Sequence, residues 1–179
     1  MFDRLLVMTG AAVEDSSGCV AAEEGGALGL RMGLQLIDHC LTNHTNLLGG
    51  GQALGFTAGA MWEFINDDSR PYKDDSGAVV SDPGHALEFV GLAGTFLREA
   101  GVLCVQGPAV AGPGELVGLE RLRSALPLLL ETNFTNGFTG RGICKAFDLV
   151  SGLPTNTDMP WWSLPETSEA TRSPLVACD

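Results

Sequence analysis

The stretch Asp82-Pro83-Gly84-His85-Ala86-Leu87-Glu88 constrains the fold most, because it marks where a helix must begin. Asp82 can accept the free N–H groups of a first helical turn. Pro83 has a fixed φ suited to the first helical position and loses nothing there by lacking an N–H. The residues that follow are apolar at helical spacing as far as Ala100, and Gly101 predicts the stop, since a residue of positive φ commonly ends a helix. At roughly 100° per residue, His85, Glu88, Phe89, Leu92 and Phe96 share one side, so a polar pair heads an apolar stripe. The helix dipole disfavours imidazolium at His85, while Glu88 one turn on favours it. Two roles fit: an acid/base pair above a pocket, or a helix-start histidine satisfied by Glu88 and solvent.

Around this helix the chain reads as further helices joined by long connections. Residues 11–27 are polar and Gly-rich and predict a loop, followed by a helix over Leu28 to Leu41. Leu47 to about Ala60 is compatible with a second helix, weakened by Gly49-Gly50-Gly51. Met61 to Ile65 alternates as a strand does, and turn residues from Asp67 to Gly77 precede Val79-Val80, so a hairpin is expected to deliver the chain to Asp82. Gly107-Pro108 and Gly112-Pro113-Gly114 predict a loop. Glu115 to about Glu131 predicts a helix that Pro127 kinks or divides, Phe138 to Asn156 a second hairpin, and a last helix begins near Trp161. The expectation is a mainly α fold with long β-hairpin loops, a single domain over residues 1–179.

Charge and composition exclude several function classes. The chain has 10 basic and 22 acidic residues, a formal net charge of −12, and no Lys/Arg cluster, which opposes a nucleic-acid partner. No apolar run reaches the length of a membrane span, and the start lacks the basic and small-residue features of a signal peptide. Five cysteines, odd in number and widely spaced, fit reduced thiols, so a cytoplasmic protein is expected. Asn43-His44-Thr45 and Asn133-Phe134-Thr135 match the glycosylation pattern, which carries little weight without secretion. No phosphate loop or dinucleotide fingerprint is present, and His85 with Glu88 lacks a nearby third metal ligand, so neither cofactor nor metal is expected. His39 and His44 lie outside any motif and predict core or surface roles.

A second constellation lies at Met159-Pro160-Trp161-Trp162-Ser163-Leu164-Pro165-Glu166. Indole faces stack on the C–H faces of sugar rings while a neighbouring carboxylate accepts hydroxyl hydrogen bonds. Equally, Ser163 and Glu166 fit a capping box, and one of the adjacent tryptophans can serve the core.

In order and spacing, Pro83-Gly84-His85-Ala86-Leu87-Glu88 followed by Pro160-Trp161-Trp162-Ser163-Leu164-Pro165-Glu166 resembles the N-acylglucosamine 2-epimerase family. The resemblance extends through Trp62-Glu63-Phe64, Arg70-Pro71-Tyr72 and Lys145 to Pro154, and covers about residues 55–172. It implies an (α/α)6 barrel-type toroid of paired helices with hairpin loops at one mouth, here incomplete. It further implies C2 epimerisation of an N-acylated hexosamine or aldose, or the related aldose–ketose isomerisation, through proton transfer beside the carbonyl. His85 would be an acid/base catalyst, and Glu88 would orient it or bind a sugar hydroxyl. One of Trp161 and Trp162 would stack on the sugar, Glu166 would support the site, and Arg70 would contact a hydroxyl or oxyanion. The family's partner histidine and an N-terminal basic residue have no counterpart here. The chain is therefore expected to be a central piece of an epimerase whose activity is in doubt, with a small-molecule sugar as partner and a homo-oligomer as one way to complete it. The alternative is a non-catalytic carbohydrate-binding or interaction fragment of the same fold.

Overall fold

The structure is a computed structural model and describes residues 16–47, 54–106 and 113–172. The described residues form four helices, α1 (Ser16–Asn43), α2 (Pro83–Gln106), α3 (Pro113–Gly137) and α4 (Ser163–Arg172), and a small sheet of β1 (Val80–Ser81), β2 (Ala146–Asp148) and β3 (Leu153–Asn156). The sheet is antiparallel in the order β1-β2-β3. The expected mainly α class therefore holds.

The helices are longer than their sequence patterns predict. α1 begins at Ser16, well inside the segment expected to be loop, because Ala21-Ala22-Glu23-Glu24 are strong helix formers and offset the glycines after them. Gly33 has a structural reason of its own: a Cβ there would sit 2.3 Å from the Phe96 ring, so the glycine lets α1 and α2 approach closely. α2 runs past Gly101 to Gln106, since Val102 to Val105 prolong the apolar run and nothing breaks the helix. α3 continues through Pro127, flanked by the buried Leu126, Leu129 and Leu130, and ends at Gly137. The helix considered over 47–60 does not form in its described part: residues 54–60 hold only turns and a single 3₁₀ residue. Residues 11–15 and 107–112, both expected as loop, lie outside the described residues.

The helix directions follow from contacts at their ends. Pro83 at the start of α2 packs on Gly137 at the end of α3, so these two run antiparallel. Leu34 meets Gly118 and Asp38 meets Arg121, so α1 and α3 run parallel. Trp162, just before α4, stacks on His85 in the first turn of α2, which brings these two helix starts together. The starts of α2 and α4 and the ends of α1 and α3 thus gather at one end of the molecule.

α2 supplies the centre of the core. Its buried face is Leu87, Val90, Ala93 and Leu97, packed on Ile37 and Leu41 of α1 and on Leu122, Leu126 and Leu129 of α3. The stripe of Phe89, Leu92 and Phe96 expected beneath the polar pair is only half-buried, because α2 is apolar nearly all round and turns its neighbouring face to the core.

A second cluster of Phe56, Ala60, Trp62 and Val79 gives the long segment between α1 and α2 a core of its own. Asn133 pins that segment to α3: its amide donates to the carbonyls of Gly59 (3.0 Å) and Leu129 (2.7 Å) and accepts from Met61 N–H (3.2 Å). Asn133 is wholly buried, so its sequon is not an exposed glycan acceptor. In place of the hairpin expected between Met61 and Val80, there are single bridges at Thr45–Met61 and Ile65–Pro71, while β1 pairs with the later hairpin. That β2–β3 hairpin matches expectation, with Pro154 on the edge strand, where the missing N–H removes no internal ladder bond. Among the described residues no helix is long and apolar enough to cross a membrane.

Asp148 ties the sheet together. Its carboxylate accepts from the N–H groups of Val79 (3.0 Å), Val150 (2.9 Å) and Ser151 (3.0 Å). Burial alone would raise its pKa, but the Ser151 side chain and these N–H donors outweigh it and hold the carboxyl below its ordinary value. A depressed carboxylate contributes stability that is complete above the unfolded-state pKa of about 3.9 and is lost as pH falls through the folded value. Asp148→Asn should therefore cost about 1–3 kcal/mol in urea unfolding at neutral pH, and the cost should shrink as pH falls below about 4. A penalty independent of pH would contradict this.

Candidate functional site

The geometry at the gathered helix ends starts from Asp82. Its Oδ1 accepts from Gly84 N–H at 3.0 Å and His85 N–H at 3.4 Å, so the expected cap exists. Its other oxygen pairs with the Lys145 ammonium, which arrives from just before β2, and lies 3.5 Å from His85 Nδ1. This carboxylate is 7% exposed, so protein donors rather than water supply its hydrogen bonds.

His85 is not held by Glu88. No hydrogen bond or ion pair joins the two, although they share a helix side. The imidazole Nδ1 instead lies 2.9 Å from Glu63 Oε1, in the segment that follows the first β-bridge. An ionised carboxylate can only accept, so Nδ1 carries the hydrogen and Nε2 retains its lone pair. A base oriented in this way is suited to removing a proton from carbon or oxygen.

Trp162 closes over this group. Its ring lies 5.5 Å from the His85 ring, inclined by 22°, and Lys145 Nζ is 5.2 Å from the indole centre. Gly84 makes room for it: a Cβ there would meet the Trp162 ring at 2.8 Å. The glycine between Pro83 and His85 is thus required by a residue almost eighty positions later. Trp161, by contrast, is 79% exposed and leaves its faces open to a ligand. Ser163 opens α4 with its hydroxyl donating to Pro160 carbonyl at 2.7 Å. The Glu166 side chain lies outside the described residues.

Arg70 stands apart. Its side chain is 82% exposed, pairs with Asp68 at 3.5 Å, and makes no hydrogen bond or ion pair with the His85 group. A cavity of about 190 Å³ lies beside His85 and is also lined by His44, Trp62, Glu63, Asp82 and Phe89. Cys40 borders it with a free thiol whose pKa burial pushes up, which keeps it protonated at neutral pH. Among the described residues no three His, Cys, Asp or Glu side chains are placed to share a metal ion.

No family model, curated protein or solved structure matches this chain. The sequence pointed to His85, the paired tryptophans and the Asp82 cap, but not to the contact of Glu63 with His85 or the pairing of Lys145 with Asp82. Glu63 is 22 residues from His85 and Lys145 is 63 from Asp82, separations with no local periodicity to reveal them. The available signal was Glu63 beside a tryptophan in an alternating segment.

Gly84→Ala should drive Trp162 off the helix, cost about 1–3 kcal/mol as overpacking does, and red-shift tryptophan emission. Adding Trp162→Ala should remove most of that increment. Equal penalties in both backgrounds would show that the two residues do not touch.

Proposed function

We propose that this chain is a sugar epimerase or isomerase acting at C2 of an N-acylated hexosamine or aldose, built as part of an (α/α) toroid related to the N-acylglucosamine 2-epimerases. The observation that carries the proposal is the Glu63–His85 pair beneath Trp162 at the shared end of the helices. A hydrogen on C2 is acidic only because the adjacent carbonyl accepts the electrons, so the enzyme needs a base held in position rather than a strong one. His85 Nε2 is that base. Glu63 orients the ring through Nδ1 and stabilises the imidazolium formed on proton transfer, the part expected of Glu88 from spacing.

Trp162 acts as a positioning residue whose indole holds the imidazole. Sugar stacking falls to the exposed Trp161. The parallel pair α1/α3, with the starts of α2 and α4 at the same end, supports a piece of a toroid of paired helices. The exposure of Trp161 also favours the second function, carbohydrate binding without turnover.

Both are separated by one experiment. Incubation in D2O with N-acetylglucosamine, N-acetylmannosamine, mannose or cellobiose should give C2 deuterium exchange visible by proton NMR, and His85→Asn should slow it by about 10²–10⁴-fold. Sugar-dependent fluorescence quenching that Trp161→Ala removes, with no exchange by the unaltered protein, would leave only the binding function.

A further inference from the structure

A cavity of about 430 Å³, larger than the one beside His85, opens between α1 and α3. Small-molecule sites commonly have volumes of about 300–1,000 Å³. Its charged lining is balanced, with Arg31 and Asp38 coming from α1 and Glu115 and Arg121 from α3. We propose that this cavity binds a zwitterionic α-amino acid with an apolar side chain. The site uses no residue of the His85 group and does not depend on the epimerase function.

The packing of the two helices decides which of these charges are free for a ligand. α1 and α3 run parallel in contact at Leu34 and Gly118, where a Cβ on the glycine would lie 3.3 Å from the leucine side chain. One turn onward along both helices, Arg121 pairs with Asp38 and donates to Thr42 Oγ1 at 3.3 Å, so this pair is satisfied within the chain. Three residues before Leu34 and Gly118 stand Arg31 and Glu115, which the parallel packing therefore places at one height. They have opposite charges and line the same cavity, yet neither makes an ion pair or hydrogen bond among the described residues. Gly114 keeps space open beside them, since a Cβ there would meet nothing within 4 Å. A guanidinium and a carboxylate that face one cavity without meeting are complementary to a ligand carrying both charges.

An α-amino acid has such a pair on adjacent atoms. Its carboxylate accepts two N–H groups from the fork of the Arg31 guanidinium, and its ammonium donates to Glu115. Its side chain covers Leu34 and Val117, the latter 69% exposed without a ligand, and removes that apolar surface from water. Ligands of a single charge fit less well. An anion meets Asp38, Glu115 and the field of a chain with net charge −12, while a cation meets Arg31 and Arg121. A zwitterion has no net charge for either to oppose.

The probe is L-leucine, titrated into the full chain to about 10 mM so that millimolar binding is seen, and followed by amide NMR shifts. The amides of Gly114, Gly118 and the facing turn of α1 should move, and those around His85 should not. N-acetyl-leucine lacks the ammonium and leucinamide lacks the carboxylate, and each should bind about tenfold or more weakly than leucine. Arg31→Gln should erase only the preference over leucinamide, and Glu115→Gln only the preference over N-acetyl-leucine, a pattern that general damage to the cavity does not imitate. Arg31 is exposed and Glu115 half-buried, so both variants should keep the circular dichroism of the unaltered chain. The comparison of leucine with its two derivatives tests the site on the unaltered chain whether or not a variant folds. If leucine moves no amide of the cavity, moves those around His85 instead, or binds no better than its derivatives, the proposal fails. It fails equally if the folded variants keep both preferences.

Discussion

The buried carboxylate of Asp82 is the junction on which the rest of this structure depends. It follows β1, caps α2, and receives Lys145 from the chain leading into β2, so one side chain connects sheet, central helix and hairpin. Burying an ionised carboxylate is costly unless donors replace the lost water. Here two N–H groups and an ammonium do so, and removing any one would leave charge inadequately compensated. Such losses reach about 3–5 kcal/mol for fully buried pairs, but Lys145 is 40% exposed and solvent screening reduces its share. The N–H groups of the helix start are the firmer part of the anchor. Their directions are set by the backbone, whereas the lysine must be ordered along its length.

This junction explains which features the sequence made legible. The cap at Asp82 and the proline after it are local, and their consequence, a helix starting at Pro83, needed no distant partner. Helix ends were less legible because a stop signal competes with what surrounds it. Gly101 is outweighed by the apolar run after it, and the glycines near residue 25 by the alanines and glutamates before them. The partner of His85 was illegible for a different reason. Spacing of three places Glu88 on the same side of the helix, but the acceptor is chosen by where the ring nitrogen points, and Glu63 reaches it from another segment. Similarly, Gly84 looks like part of a helix-start motif, while its need arises from Trp162.

Long loops usually position functional groups loosely, yet the segment of residues 54–82, ahead of α2, does not resemble such a loop. Trp62 and Phe56 give it an apolar core, and Thr132 and Asn133 tie it to α3, with Thr132 Oγ1 donating to Ala58 carbonyl at 2.8 Å. Glu63 N–H donates to the Val80 carbonyl at 2.9 Å, which fixes the segment beside β1 on the edge away from β2. The carboxylate that orients His85 is therefore carried on a backbone held from two sides. Although the His85 side chain is 47% exposed, its acidic neighbour is thus fixed by the fold rather than by chance approach.

The electrostatic setting narrows the ligand class further. Glu63 and Asp82 both face the His85 side of the cavity, Lys145 offsets one of them, and the whole chain carries a net charge of −12. A phosphorylated ligand would approach this cavity against that field and meet two carboxylates. An uncharged sugar experiences no such opposition, and its hydroxyl groups can donate to carboxylates that repel an anion. The same acidity that argues against a nucleic-acid partner is thus compatible with chemistry on a neutral carbohydrate.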